Sequence, residues 1–398
     1  MNTKNPPVLL FANDGANPLG IARSLGRKGI AVSVLTESKP SILRASRYIK
    51  KLYYVESFHQ TEKIKEQLES FLSVNSTSSH LPLLLVTNES HYTDLLPLNE
   101  FIEKHFNSVN LLDHCVFLSE KYNQFPLAEQ AGFRVPKSLT LRTESDLDNV
   151  ASLNYPVIVK PVAEKTRGQF HSKTELYENH ETLKESLLPF LKENGVELLA
   201  QEFVAGSDEN VRFFFASCGN DGEPRLWLSG SKIRQNPPGR GVMASGVVDN
   251  APNLSFIEKS KTLCRLFGLK GFIGIECKYN ETTGEYCYIE SSLRPDGYNS
   301  IGFAAGVDIV FDSYLAALGI LCEVEQPQTF KGVWADMELE LGTMKMLRQQ
   351  DDSSWKHFFK RLPRPIAWAY FTWDDPLPWC CQTLRLLGRI PAKLRFFI

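Results

Sequence analysis

The sequence predicts a chain of several lobes that combines α/β and α+β structure, the first of them Rossmann-like, and three observations carry that expectation. The chain has 398 residues, more than one core normally holds, and 43% hydrophobic with 23% charged residues is ordinary for a globular protein. Its start, from Pro7 to Leu35, alternates apolar strand, helix and apolar strand, which is a βαβ unit. Further on, Gly271 to Ser300 sets two β-rich runs either side of Asn280-Glu281-Thr282-Thr283-Gly284, a hairpin with a loop longer than two residues.

Composition narrows the function classes. A formal net charge of -2 argues against a nucleic-acid binder, which usually carries a basic footprint. The eight cysteines lack metal-ligand spacing, and the adjacent pair Cys380-Cys381 is not a C-x-x-C motif, so reduced thiols in a cytoplasmic protein are expected. The opening MNTKNPPVLLFANDG lacks the charged start, long apolar core and cleavage site of a signal peptide, and no run is apolar enough to span a bilayer.

Taken in order, the strand PVLLFA (7–12) runs into Asn13-Asp14-Gly15-Ala16-Asn17-Pro18-Leu19-Gly20 and a helix through Lys28 that Gly29 ends before the strand IAVSVL (30–35). The G-x-G-x-x-G spacing is absent, so no dinucleotide site is expected in this lobe. A further strand, Leu83 to Val86, ends in Thr87-Asn88-Glu89-Ser90. Ligands bind beyond the carboxyl ends of parallel strands, which makes Asn13, Asp14, Asn88 and Glu89 substrate-side candidates.

The next element is an amphipathic helix with Lys121 in its first turn, where a cation opposes the helix dipole, followed by a Gly132-to-Pro136 turn. Tyr155 to Pro161 (YPVIVKP) is a β-branched strand with Lys160 at its carboxyl end. An ammonium there is costly unless it meets water or an anion, so Lys160 is a phosphate candidate, with a lysine that snorkels to solvent as the plain alternative. Ala163 to Phe170 is basic and poor in glycine. Leu198 to Val204 is a strand that leaves through a turn into Asp208-Glu209. Ser231 to Val242 gathers Lys232, Arg234 and Arg240 among turn formers, a loop able to bring cations to one anion.

In the hairpin, alternation puts Ile273, Ile275, Cys277, Cys287 and Ile289 on an apolar face and Glu276, Lys278 and Glu290 on the other. Two carboxylates that close repel unless a cation lies between them, and oxygen-only ligands beside a phosphate suit Mg²⁺. An incidental pair on a solvated face is the alternative. The sequel favours a site, because Arg294 leaves the strand just past Glu290 and its planar fork of donors fits a phosphate or acyl phosphate.

The series from Lys121 to Arg294 resembles the ATP-grasp superfamily, and the run Asn17 to Gly29 with Ser46-Arg47-Tyr48 resembles its subgroup of D-aspartate ligases and predicted carboxylate-amine ligases. The resemblance implies three parts: a Rossmann-like lobe (1–115), a two-lobed ATP-grasp region (116–322) and a C-terminal extension (323–398). It implies ATP with Mg²⁺, or Mn²⁺ in its place. By match, Lys121 and Lys160 meet the phosphates, Glu202, Phe203 and Val204 the adenine, and Asp208 or Glu209 the ribose. Lys165, Arg167 or Lys173 would cover the phosphates in place of a glycine-rich flap, and Arg234 would serve the acceptor and phosphate region. Glu276 and Glu290 match the metal ligands and Arg294 the arginine of the E-x-N-x-R run, whose asparagine is here Ser292; Ser292 or a folded-back Asn299 would fill that place.

The function implied is an ATP-dependent carboxylate-amine ligase working through an acyl phosphate, with small-molecule carboxylate and amine substrates. A carboxylate-thiol ligase, a small-molecule kinase and an inactive nucleotide-binding regulatory protein stay open on the same scaffold, as does a homo-oligomer. The tail mixes Arg385, Arg389, Lys393 and Arg395 with apolar residues, which suits a peripheral membrane contact or, with Gly388 and Pro391 interrupting a long helix, packing back on the protein.

Overall fold

A computed structural model of the chain describes residues 5–39, 41–75, 81–108, 110, 112–162, 174–194, 197–320, 326, 332–350 and 367–389. The first sheet holds β1 (Val8–Phe11), β2 (Val32–Thr36), β3 (Ile49–Tyr54), β4 (Leu83–Val86) and β5 (Asn107–Ser108), all parallel, in the order β3-β2-β1-β4-β5. Val8 to Phe11 are all fully buried, as a central parallel strand covered by helices on both faces requires. The connections leave β1 in opposite directions toward β2 and β4, so the loops 13–17 and 87–90 flank the switch point at the strands' carboxyl ends. This is the Rossmann-like lobe that the βαβ pattern predicts.

The second sheet is antiparallel, β6 (Ser138–Leu141), β7 (Val157–Pro161), β8 (Glu175–Tyr177) and β9 (Leu198–Glu202), in the order β6-β9-β7-β8. The third has seven strands: β10 (Val211–Cys218), β11 (Pro224–Asn236), β12 (Val242–Val248), β13 (Gly271–Asn280), β14 (Glu285–Ser292), β15 (Val333–Ala335) and β16 (Ala367–Trp368), ordered β14-β13-β10-β11-β12-β15-β16. Behind β10 and β13 a core of Phe214, Ile273, Ile275, Phe256 and Leu263 continues into the N-terminal lobe through Leu118 and Tyr92.

The described residues of 323–398 pack on both other parts. Among those described, β15 pairs antiparallel with the edge of β12, and the helix Met337–Gln350 packs on β11 and β12. The helix Leu377–Arg389 then packs on the short turn Ile42–Ala45 of the N-terminal lobe, where Arg385 bonds Asp14 at 2.7 Å. Just before it, Asp375 accepts from Arg23 Nε (3.0 Å), Ser46 Oγ (2.7 Å) and the Arg47 amide (3.0 Å), and Asp374 accepts two bonds from Arg27, each of 2.8 Å. Lys393 and Arg395 lie outside the described residues. Among those described, no helix is long and apolar enough to cross a membrane.

Candidate active site

The three sheets meet around one cavity of about 480 Å³, lined from the N-terminal lobe by the loop 13–18, from the second sheet by Lys160, and from the third by Glu276, Glu290 and Arg294. The hairpin β13-β14 forms its floor. Glu276 and Glu290 are direct cross-strand partners, so the two carboxylates share the cavity face as the alternation predicts. On β14 the alternation breaks, because Cys277 pairs with Tyr288 and leaves Ile289 as a bulge residue. The expected apolar face is therefore corrected: Tyr286 and Tyr288 join Ile273, Ile275 and Cys277 in the core, whereas Cys287 stands opposite Lys278 and Ile289 lines the cavity. One extra residue reverses which side chains point inward.

Glu276 accepts from Lys232 Nζ at 2.7 Å and from the Tyr298 hydroxyl at 2.6 Å. Glu290 lies 3.4 Å from Lys121 Nζ. Gln124, on the helix Lys121–Gln130, sets that pair by bonding the Ser291 amide (3.0 Å), the Ser291 carbonyl (3.1 Å) and the Tyr288 hydroxyl (2.7 Å), which fastens β14 beneath the lysine. Ser292 turns its hydroxyl to Asp296 at 3.0 Å. Asn299 does not reach this pair: its amide bonds the Asn17 carbonyl (3.1 Å), the Asn17 side chain (3.0 Å) and the Asp296 carbonyl (2.8 Å), in a close approach that Gly20 permits because a Cβ there would lie 2.2 Å from the Asn299 oxygen. Among the described residues no group of three His, Cys, Asp or Glu could hold a metal by itself. The facing carboxylates are an oxygen donor set that fits a hard divalent cation completed by phosphate oxygens.

The cations converge from three directions. Lys160, 6% exposed, donates to Gln201 at 3.1 Å from β7, while Lys121 enters from its helix and Lys232 from β11. Arg240 also lines the cavity. Lys165, Arg167 and Lys173 lie outside the described residues. Arg234 is displaced from the place expected for it. Ile233 and Ala244 are unpaired bulge residues between β11 and β12, so Lys232 and Gln235 face the cavity while Arg234 turns away and donates to Glu340 at 2.7 Å.

At the second sheet, Glu202, Phe203 and Val204 line the cavity, with the Glu202 carboxylate held by Asn154 (2.9 and 2.8 Å) and the Phe203 amide by the Pro156 carbonyl (3.0 Å). Asp208 and Glu209 do not line it. Asp208 accepts from the Gln235 amide (2.8 Å), the Gln235 side chain (2.9 Å) and the Gly239 amide (2.7 Å), pinning the loop between β11 and β12, and Glu209 is exposed. A residue given no role in the sequence reading stands here instead. Lys278 is 3% exposed, its Nζ has no hydrogen-bond partner among the described residues, and it lies 4.8 Å from the centre of the Phe203 ring. Burial pushes its pKa down, only partly offset by Asp208.

At the opposite end Arg294 is gripped by Glu89 (2.9 Å) and Asp296. Glu89 also accepts from the Leu293 amide, so it positions the arginine and does not line the cavity, whereas Asn13, Asp14 and Asn88 do. Burial pushes Asp296 up to about 6 despite the arginine. Four further lining residues come from the C-terminal part and escaped the sequence reading: Trp334, Asp336, Leu339 and Tyr370. Asp336 precedes a helix and reads as an ordinary cap; only its position across from loop 13–18 marks it.

No family model matches the chain. A D-aspartate ligase of Enterococcus faecium (strain Aus0004) is 23% identical to it over 303 residues, spanning 72% of this chain and 70% of that protein. Among solved structures, an ADP complex of N5-carboxyaminoimidazole ribonucleotide synthetase superposes with a TM-score of 0.64 at 15% identity, over 84% of this chain and 82% of that one. The L-amino acid ligase from Bacillus licheniformis does so with a TM-score of 0.58 at 13% identity, over 79% and 75%.

Proposed function

The chain has the ATP-grasp fold of these ligases, and on that premise we propose that it is an ATP-dependent carboxylate-amine ligase. A substrate carboxylate oxygen attacks the γ-phosphorus of ATP and ADP leaves, giving an acyl phosphate. The amine nitrogen then attacks the acyl carbon, loses a proton and displaces phosphate, forming the carbon-nitrogen bond. Such chemistry needs positioning and neutralisation of charge more than a protein nucleophile.

The observation that carries this reading is the convergence of Arg294, the facing Glu276 and Glu290, and three lysines on one cavity. Lys121, Lys160 and Lys232 are assigned to the phosphates, and the backbone of Glu202 to Val204 with Lys278 to the adenosine end. Glu276 and Glu290 would hold Mg²⁺, or Mn²⁺ in its place, and such an ion neutralises phosphate charge. Arg294, fixed by Glu89 and Asp296, stabilises charge that grows on the transferring group.

Purified protein with Mg²⁺-ATP is offered carboxylate and amine pools while ADP and phosphate are followed and the product is identified by mass. Carboxylate-dependent ADP release and an amide product are expected, and Arg294→Ala is expected to lower turnover about 10²- to 10³-fold while ATP affinity holds. A thioester or a phosphorylated product would move the reading to a thiol ligase or a kinase. A nucleotide-binding protein without turnover is the second reading, drawn from Ser292, whose hydroxyl is engaged by Asp296. It predicts a parent protein silent across the pools.

A further inference from the structure

Asp336 sits where β15 meets the helix Met337–Gln350 and lines the cavity. It is 6% exposed. Its Oδ1 accepts from the amides of Glu338 (2.9 Å) and Leu339 (3.3 Å), which caps the helix. Its Oδ2 accepts nothing from the described residues, and no lysine or arginine among them pairs with it. Other carboxylates in or near this wall have basic partners: Asp14 has Arg385 at 2.7 Å, Glu89 has Arg294 at 2.9 Å, Asp296 has Arg294, and Glu340 has Arg234 at 2.7 Å. Asp336 has no such partner among the described residues, and it lines the cavity together with Trp334 and Tyr370.

An unpaired carboxylate in such a wall is costly, and the cost shows as a pKa pushed up to about 6 by burial, with Glu338 and Glu340 adding to it. A cation supplied by a ligand would remove that cost, and aromatic walls strengthen the attraction by excluding water. We propose that Asp336 binds a primary ammonium group of the substrate through Oδ2, so that the enzyme takes an amino acid or an alkylamine and not an uncharged nitrogen. The inference rests on the ligase reading for the word substrate, but the binding it predicts is measured without turnover.

Full-length protein, with Mg²⁺ and a non-hydrolysable ATP analogue present, is titrated calorimetrically with the L- and D-amino acids, their N-acetyl derivatives and their amides. At least one amino acid or amide is expected to bind where its N-acetyl form does not, and Asp336→Asn, whose amide oxygen retains the helix cap, is expected to weaken it at least about tenfold, or about 1.4 kcal/mol. The variant's affinity for the nucleotide analogue serves as the control for an intact cavity. Binding kept by the amide puts the ammonium on the amine substrate; binding lost in the amide puts it on the carboxylate substrate. Equal affinity in Asp336→Asn, equal binding of N-acetyl forms, or no binding across the panel overturns the inference. Asp336-dependent binding without carboxylate-dependent ADP release would instead defeat the ligase reading and leave this site standing.

Discussion

Lys278 is a single side chain at which the proposed binding role and stability oppose each other. Its ammonium is buried beside the Phe203 ring with no hydrogen-bond partner among the described residues, an arrangement that costs desolvation in the free protein and, on the ligase reading, would be repaid when a nucleotide brings acceptors. Lys278→Met is therefore expected to raise the melting temperature of the ligand-free protein by about 1 °C, as about 1 kcal/mol of relieved desolvation implies for a chain of this length, while ATP affinity drops. A lower melting temperature with unchanged affinity would make Lys278 a structural residue. Glu276→Gln and Glu290→Gln test the other wall: each removes charge from an oxygen pair, so Mg²⁺-dependent turnover is expected to fall at least about 100-fold with an unchanged circular dichroism spectrum. Normal turnover in both variants would sink the metal assignment. The glutamates were legible because strand alternation places them on one face, and Lys278 shares that face. Asp336 was not, since nothing local distinguishes a carboxylate that faces a cavity from one that merely caps a helix.

At the scale of the element, two bulges decide which residues enter the cavity. The extra Ile289 sends Tyr288 into the core, and the extra Ile233 sends Arg234 to Glu340 while Lys232 takes Glu276. A bulge is set by the partner strand, which local sequence does not specify, and this is why the alternation rule failed on β14; Ser231 to Asn236, expected as part of a loop, is instead the bulged end of the strand β11. The turn Asp374-Asp375 is a third such case. It reads as a chain breaker, yet its partners are Arg23, Arg27, Ser46 and Tyr48 of the first lobe. Bonds from Arg27 and Tyr48 hold the Asp374 carboxyl well below the usual range. Arg23 and Asp375 are 3% and 2% exposed, so Asp375→Ala would strand a buried guanidinium, and a loss of about 3–5 kcal/mol is expected in urea unfolding. Asp374 is 38% exposed, and Asp374→Ala is expected to cost far less, because solvent screens its pair. Equal effects of the two substitutions would show that the difference in burial does not govern the clasp.

Across the whole molecule, the order of pieces was more legible than their assembly. The apolar runs at Val8–Phe11 and Val32–Thr36 declared a parallel sheet, and the hairpin declared the floor of the cavity. How the last part of the chain packs was not legible, because its strands are short and its partners remote: β15 has three residues and, with β16, extends a sheet begun at Val211. The clasp spans 352 positions of sequence, from Arg23 to Asp375. A ribosome delivers the chain from its beginning, so the first lobe leaves the exit tunnel carrying an arginine whose counter-charge has not yet been translated. Lobes ordinarily fold as they emerge, but the helix Ala16–Arg27 gains the partner of Arg23 only once Asp375 has been made. A transcript truncated before Asp375 should therefore yield neither a smaller enzyme nor a sound first lobe, but a nascent product destined for chaperones and proteases.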